Sequence, residues 1–491
     1  MGKRQVAILA VALACVVTPA AMVGSATAGP FTVGPLTLIS GPSPFTNCNI
    51  GPGATNYLNA EVEPWAAINP TNPNNIIGVY QQDRWSDGGA RGLVASVTHD
   101  GGNSWSRSWA PFTFCAGGNV GNGGDFERAS DPWVTFSPNG HAYQIALNFN
   151  GSDFVNAITV SKSVTGGDTW SPLTTLTRED GAQNVSFVDK ESITADPFDS
   201  NYVYAIWDRS RFPSDKREVH SIAGFPRSIR SDAMLARSTN GGQTWEAPRA
   251  IFRPQANQFS IGHQIVVLSD GTLMDAFMLF HGSGSNKKGQ EVAVMISRDK
   301  GATWSAPIRV AKALPGFISD PEDGTPVRTG DIIPDIAAGP NGSVYVVWQE
   351  ATLAPSGSAI ALSRSLDGGL TWSSPGRINT VPTTQAFTPS IEVLPDGTLG
   401  VTHYDFRFNT PDGGATLPTD YWFLHSHDGG ATWAESRVTA NSFDMRTAPF
   451  ARGLFVGDYE GLDTQSGQFL ALFSQTHGTD PASVFFTRIT P

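Results

Sequence analysis

Arginine, aspartate, glutamate, tyrosine and histidine recur at one kind of position in this 491-residue chain, the borders of short apolar runs. Asp83-Arg84, Asp208-Arg209, Glu350 and Tyr404-Asp405-Phe406-Arg407 close such runs. Glu63, Arg128 with Asp131, Asp189-Lys190-Glu191, His263, Arg328 with Asp331, and Arg452 with Asp458-Tyr459-Glu460 precede them. Arginine clamps a carboxylate through two parallel N–H donors. A carboxylic acid protonates a leaving oxygen, and a tyrosine or carboxylate beside a base supplies the attacking group. Converging at one mouth, these residue types form a site for an acidic sugar, in a chain only 15% charged.

Each group also has a plainer reading. Glu63-Pro64 and Asp131-Pro132 are equivalent, and their acids can cap the backbone at the start of a strand. Asp83-Arg84, Asp208-Arg209 and Asp405/Arg407 can be ion pairs between neighbouring units of the fold. His281 and His477 read as polar loop residues.

The elements that must position these residues repeat. Pro64 to Tyr80, Pro132 to Leu147, Ser192 to Trp207, Gln264 to Met278, Asp335 to Trp348, Ser390 to Tyr404 and Asp458 to Ser474 each read as apolar strand, tight turn, apolar strand. Between them stand Trp-terminated turns: THDGGNSW (Thr98 to Trp105), SVTGGDTW (Ser163 to Trp170), STNGGQTW (Ser238 to Trp245), SRDKGATW (Ser297 to Trp304), SLDGGLTW (Ser365 to Trp372) and SHDGGATW (Ser426 to Trp433). A short pattern at a loose period of roughly 60 to 75 residues marks a repeat fold. The aspartates of these turns are expected to be structural, accepting bonds from nearby backbone N–H groups. Hairpins outnumber turns by one. The last unit ends on Ala482 to Arg488 without a fourth strand, and Phe31 to Ser40 is free to supply it. The reading is an all-β chain, a single seven-bladed β-propeller whose N-terminal strand closes the ring. A six-bladed ring is the alternative, with the last hairpin or the Asp180 to Arg230 region as an insertion. The polar residues named above then fall at the mouth opposite the Trp-terminated turns.

The S-x-D-x-G-x-x-W turns resemble the Asp-boxes (bacterial neuraminidase repeats) of the sialidase superfamily. On them, the chain from about Glu63 to Trp433 is similar to that superfamily's propellers, which include sialidases, other glycoside hydrolases, polysaccharide lyases and non-enzymatic proteins. Sialidases also carry a Phe/Tyr-Arg-Ile-Pro segment near the start. The corresponding opening here is Glu61-Val62-Glu63-Pro64-Trp65, so no catalytic residue is carried over by motif. The resemblance implies a glycoside hydrolase acting on acidic sugars in the manner of an exo-α-sialidase. Arg84, Arg128, Arg209, Arg328, Arg407 and Arg452, with His263, are the candidates for binding substrate. Asp83, Asp131 and Asp208 are candidate acids. Tyr404 or Tyr459 is the candidate nucleophile, activated by Glu191, Glu350 or Glu460. A lyase acting on a uronate-containing glycan is the second reading, with Tyr404, Tyr459 or His263 as the base. A non-catalytic propeller that binds glycans or proteins is the third.

Composition bounds the rest. Lys3 and Arg4, the apolar run from Val6 to Val17 and Ala26-Thr27-Ala28 read as a secretory signal over residues 1–28, leaving residues 29–491 as the propeller. The expectation is a secreted monomer with a carbohydrate as its partner. A net charge of −12 argues against nucleic acid and against an anionic membrane surface. Cys48 and Cys115 remain after the signal, either as one disulfide or as two free thiols. HExxH, cysteine-cluster and EF-hand patterns are missing, so no metal or cofactor is expected.

Overall fold

A computed structural model describes residues 31–50, 53–180, 186–211, 230–255, 258–282 and 289–491. The expected secretory signal lies outside these residues. The described chain is nearly all β, with short 3-10 turns and no α-helix among the described residues.

The strands pair with their sequence neighbours into antiparallel meanders. The first comprises Glu61–Ile68, Ile76–Arg84, Ala90–Thr98 and Ser106–Ser108. The second comprises Arg128–Phe136, Ala142–Phe149, Asn156–Ser163 and Thr174–Glu179. Ser186–Ala195, Val203–Arg211, Arg230–Ser238 and Arg249–Phe252 form the third. Gln258–Val267, Leu273–His281, Gln290–Ser297 and Ile308–Ala313 form the fourth. The fifth is Asp335–Ala338, Val344–Glu350, Ala359–Ser365 and Gly376–Arg377. The sixth is Ala386–Val393, Leu399–Asp405, Pro418–Ser426 and Ala434–Arg437. The last joins Gly461–Gln465, Gln468–His477 and Asp480–Thr490. Its outer edge pairs with Thr32–Val33 and Thr37–Leu38 from the start of the described chain.

The first strand of each meander lies beside the first strand of the next, and Gly461–Gln465 lies beside both Ala386–Val393 and Glu61–Ile68. Second strands are buried on both faces and are correspondingly apolar; every residue of Ile76–Arg84 and of Val344–Glu350 is buried. The core lies in the gaps between meanders. Trp133 and Trp207 share one cluster between the second and third, and Met278 and Trp348 another between the fourth and fifth. Phe423 and Phe473 pack together between the sixth and last.

The Trp-terminated turns are held by their own side chains. Asp428 Oδ1 accepts from the backbone N–H of Ala431 (3.0 Å) and Thr432 (2.9 Å), and Oδ2 from the Thr432 hydroxyl (2.6 Å). The Ser426 hydroxyl accepts from Gly430 N (2.8 Å), and the Trp433 indole N–H donates to Gly430 O (3.2 Å). Gly430 takes a φ of 88°, which explains glycine there. Burial pushes the Asp428 carboxyl up, but these bonds together outweigh it and hold it at about 2.

Cys48 and Cys115 form a disulfide that ties the N-terminal arm to the segment following the first meander. The arm is held further by Asp83, which accepts from the Ser43 hydroxyl (2.5 Å) and Asn59 N (2.9 Å). A small hairpin, Ile318–Ser319 and Pro326–Val327, is inserted between the fourth and fifth meanders. It docks on the segment before the last meander, where Arg328 N donates to Leu454 O (2.9 Å). Gly330 meets the Asp458 carbonyl so closely that a Cβ would have no room.

Candidate functional site

The site begins with a repeated irregularity. Pairing slips between Val62 and Trp65, Ser130 and Trp133, Asp189 and Ser192, Ile261 and Gln264, and Phe387 and Ser390, in the first strands of five meanders. Each slip holds a residue with left-handed backbone: Glu63 (φ 55°), Asp131 (51°), Lys190 (49°), Gly262 (73°) and Thr388 (50°). A bulge of this kind costs backbone energy and re-aims a side chain, and such features collect at functional sites. Here three of them point charged groups at one another.

Lys190 is the centre. Its Nζ lies 2.7 Å from Asp131 Oδ1, 2.9 Å from Asp458 Oδ2 and 3.7 Å from Glu63 Oε1. Burial by itself would lower the ammonium, but Asp131, Asp458 and Glu63 outweigh it and hold Lys190 well above its ordinary value. Arg328, carried by the inserted hairpin, grips Asp458 with Nε at 3.1 Å and a second nitrogen at 2.5 Å. Against the opposing push of burial, Arg328 and Lys190 keep the Asp458 carboxyl well below the usual range.

Two more arginines join from different elements. Arg84 ends the second strand of the first meander, is buried, and donates to Gln81 Oε1 (2.6 Å). Arg84 and Arg328 lie against the Phe455 ring, 4.9 and 4.3 Å from its centroid. Arg452 has left-handed backbone (φ 68°) and forms no hydrogen bond or ion pair among the described residues. Burial, then repulsion from Arg328, lowers its guanidinium to about 10, with Arg84 adding to the repulsion and Asp458 and Asp189 pulling the other way. Three cations therefore crowd one place, and of the three only Arg328 is in a direct ion pair among the described residues.

Several carboxyls nearby are raised well above their ordinary values. Burial pushes Glu63 up to about 7, with Lys190 pulling the other way, and Gln81 donates to it. Burial, reinforced by Asp458, pushes Asp331 up to about 7, and Asp331 is only partly buried. Asp189 is raised to about 6 by burial and by Asp131. Glu191 is buried with neither side-chain oxygen bonded and is held far above its ordinary value.

Of the residues singled out from sequence, the structure brings together Asp131, Glu191, Tyr459, Arg84, Arg328 and Arg452. Tyr459 packs against Trp133 (5.3 Å between centroids) and donates its hydroxyl to Pro132 O (3.2 Å). No carboxylate among the described residues hydrogen-bonds the Tyr459 hydroxyl, so its geometry is that of a packed strut. The others are engaged elsewhere. Asp83 locks the N-terminal arm. Glu350 accepts from Leu314 N, the Trp348 indole and both Thr352 donors. Tyr404 is fully buried and donates to Ser474 O (2.6 Å). Arg128 pairs with Asp87 (2.5 Å) and stacks on Trp85 (4.8 Å). Arg209 faces Asp232 and Glu179, and Arg407 pairs with Asp405 and Glu435 over Trp422. Asp208 and His263 form a buried chain with Asp275: His263 Nδ1 is 2.7 Å from Asp275 Oδ2, and its Nε2 is 3.5 Å from Asp208 Oδ1. Burial raises Asp208 to about 8.

Glu63, Lys190, Asp331 and Asp458 stood out only as polar mouth residues, and Phe455 and Gln81 carried no sequence signal. Among the described residues, no group of His, Cys, Asp and Glu is placed to hold a metal ion.

No family model matches the chain, and no curated protein matches it. Among solved structures it is similar to a protein of unknown function from Dyadobacter fermentans, with TM-score 0.47 and 12% identity over 90% of this chain and 96% of that one. It is also similar to Trypanosoma rangeli sialidase in complex with sialic acid (TM-score 0.45, 14% identity), over 73% of this chain and 54% of the sialidase, about half its length. A third likeness is to the α-L-arabinofuranosidase Arb93A of Fusarium graminearum (TM-score 0.43, 12% identity), over 73% of this chain and 92% of that one. At such identities and scores, these likenesses carry no argument about substrate or mechanism.

Proposed function

We propose that this chain is a secreted, seven-bladed β-propeller that hydrolyses a glycosidic bond next to an acidic sugar, in the broad manner of a sialidase. Each meander is a blade, and the pairing of Thr32–Val33 and Thr37–Leu38 with Asp480–Thr490 closes the ring. The observation that carries the functional reading is the convergence of Arg84, Arg328 and Arg452 beside carboxyls in opposite protonation states.

In this reading Arg452, partly exposed and with no hydrogen bond or direct ion pair among the described residues, receives the sugar carboxylate, and the buried Arg84 adds to the positive field. Asp331 is the proton donor to the leaving oxygen, because unlike the raised Glu63, Asp189 and Glu191 beside the arginines it is partly exposed. Asp131, held by Lys190, faces the developing positive charge on the sugar and orients the attacking water. Its ground is the 2.7 Å contact that fixes the carboxylate in place. Tyr459 packs and positions these groups and does not attack.

The experiment is a panel of sialosides and uronate-containing polysaccharides, followed for free sugar and for the ultraviolet absorbance of an unsaturated product. Released sugar without new absorbance supports hydrolysis. New absorbance replaces it with β-elimination, and binding without turnover across the panel removes the enzymatic reading.

A further inference from the structure

Four Trp-terminated turns close on themselves. The indole N–H of Trp105, Trp304, Trp372 and Trp433 donates to a glycine carbonyl of its own turn, at 3.1 to 3.2 Å. The other two turns carry Thr165 and Asn240 where these four carry aspartate. There the tryptophan departs from its turn. Trp170 donates instead to Ser108 Oγ in the first meander (3.0 Å), and the Trp245 indole makes no hydrogen bond among the described residues. Both tryptophans remain partly exposed. A cavity of about 370 Å³ opens between them, also walled by Tyr143, Lys162, Ser171 and Thr174.

The lining has a definite chemistry. Trp170 and Trp245 present aromatic surface, whose negative π-faces attract the polarised C–H groups of a sugar ring, over a buried Tyr143 that forms the floor. Lys162 is fixed by donating to Gly241 O (2.7 Å), which also accepts from the Tyr143 hydroxyl (2.9 Å). That bond uses one of the three ammonium donors and leaves two. Thr174 is exposed at the rim with its hydroxyl available. The volume is at the small end of ligand sites, the size for one or two sugar rings.

We infer a second carbohydrate site in this cleft, between the second and third meanders, which takes an acidic sugar unit: ring on the tryptophans, carboxylate on Lys162. It is separate from the mouth in both residues and chemistry, and it binds without turning over. Its role is to tether a long acidic glycan.

The test is calorimetric titration of the full chain with a galacturonate tetrasaccharide and with its neutral galactose counterpart, in wild type and in Arg452→Ala, which weakens the mouth. Binding is expected to survive Arg452→Ala and to weaken at least tenfold on adding Lys162→Met or Trp245→Ala. Thr174→Trp, which fills the cleft from its rim, is expected to do the same if Trp245→Ala does not fold, whereas Trp245→Phe should retain binding. Loss of all binding in Arg452→Ala with none lost in Lys162→Met or Thr174→Trp would assign the glycan to the mouth alone and overturn the inference. Equal affinity for the neutral oligosaccharide would overturn the acidic assignment, and no binding at millimolar ligand would overturn the site.

Discussion

Lys190 is the residue on which the mouth depends. It is almost wholly buried, and its ammonium compensates Asp131, Asp458 and Glu63 together. Lys190→Met keeps most of the volume and strands buried carboxylates, so stability should fall by about 3–5 kcal/mol in a denaturant titration. A loss below about 1 kcal/mol would mean the cluster behaves like a surface ion pair. Asp331 gives the pH dependence. Its carboxyl, raised to about 7, is protonated below that pH and loses its proton above it. The kcat/KM profile should therefore drop on the alkaline side near pH 7, and Asp331→Asn should remove most activity throughout. An unchanged alkaline limb in Asp331→Asn would exclude this assignment. At this scale the sequence was only partly legible. Six arginines looked alike at the ends of apolar runs, and three of them converge. What separates Arg452 from Arg407 is Glu435 across a sheet, a partner distant enough in sequence to leave no local trace. Phe455, on which Arg84 and Arg328 both rest, was invisible for the same reason.

Among the elements, hairpins and Trp-terminated turns were the most legible, because their chemistry is local. The Ser426 and Asp428 side chains draw all their bonds from residues within four positions. The bulges were not legible. Glu63-Pro64 and Asp131-Pro132 were open to reading as strand caps, and only strand pairing reveals the slipped register and left-handed backbone at each. The inserted hairpin that brings Arg328 to Asp458 was likewise hidden in an irregular stretch. The Cys48–Cys115 disulfide, one of two alternatives open from composition, closes a sequence separation of 67 residues. Replacing both cysteines by alanine should cost about 4 kcal/mol on loop-closure grounds. It should lower Tm and loosen the arm that Asp83 holds through Ser43 and Asn59. An unchanged Tm would show that the hydrogen bonds of the arm suffice without the covalent tie.

At the scale of the whole molecule, the first strands touch in sequence, and Gly461–Gln465 reaches back to Glu61–Ile68. Thr32–Val33 and Thr37–Leu38 pair with Asp480–Thr490 and so add strands from the start of the described chain to the edge of the last meander. Deleting residues 31–40 should expose the edge of Asp480–Thr490 and give a lower Tm with aggregation in light scattering. A monomer of unaltered Tm would argue against closure. Such an arrangement gathers at one mouth residues as distant in sequence as Arg84 and Arg452, and the central claim is that this mouth selects and cleaves an acidic sugar. The most direct measurement compares kcat/KM for an acidic glycan with that for its carboxyl-reduced, neutral counterpart, in wild type and Arg452→Ala. Wild type should prefer the acid by about a hundredfold, the worth of a good charge-assisted pair, and Arg452→Ala should lose that preference. A preference that persists undiminished in Arg452→Ala, or its absence from wild type, would contradict that claim.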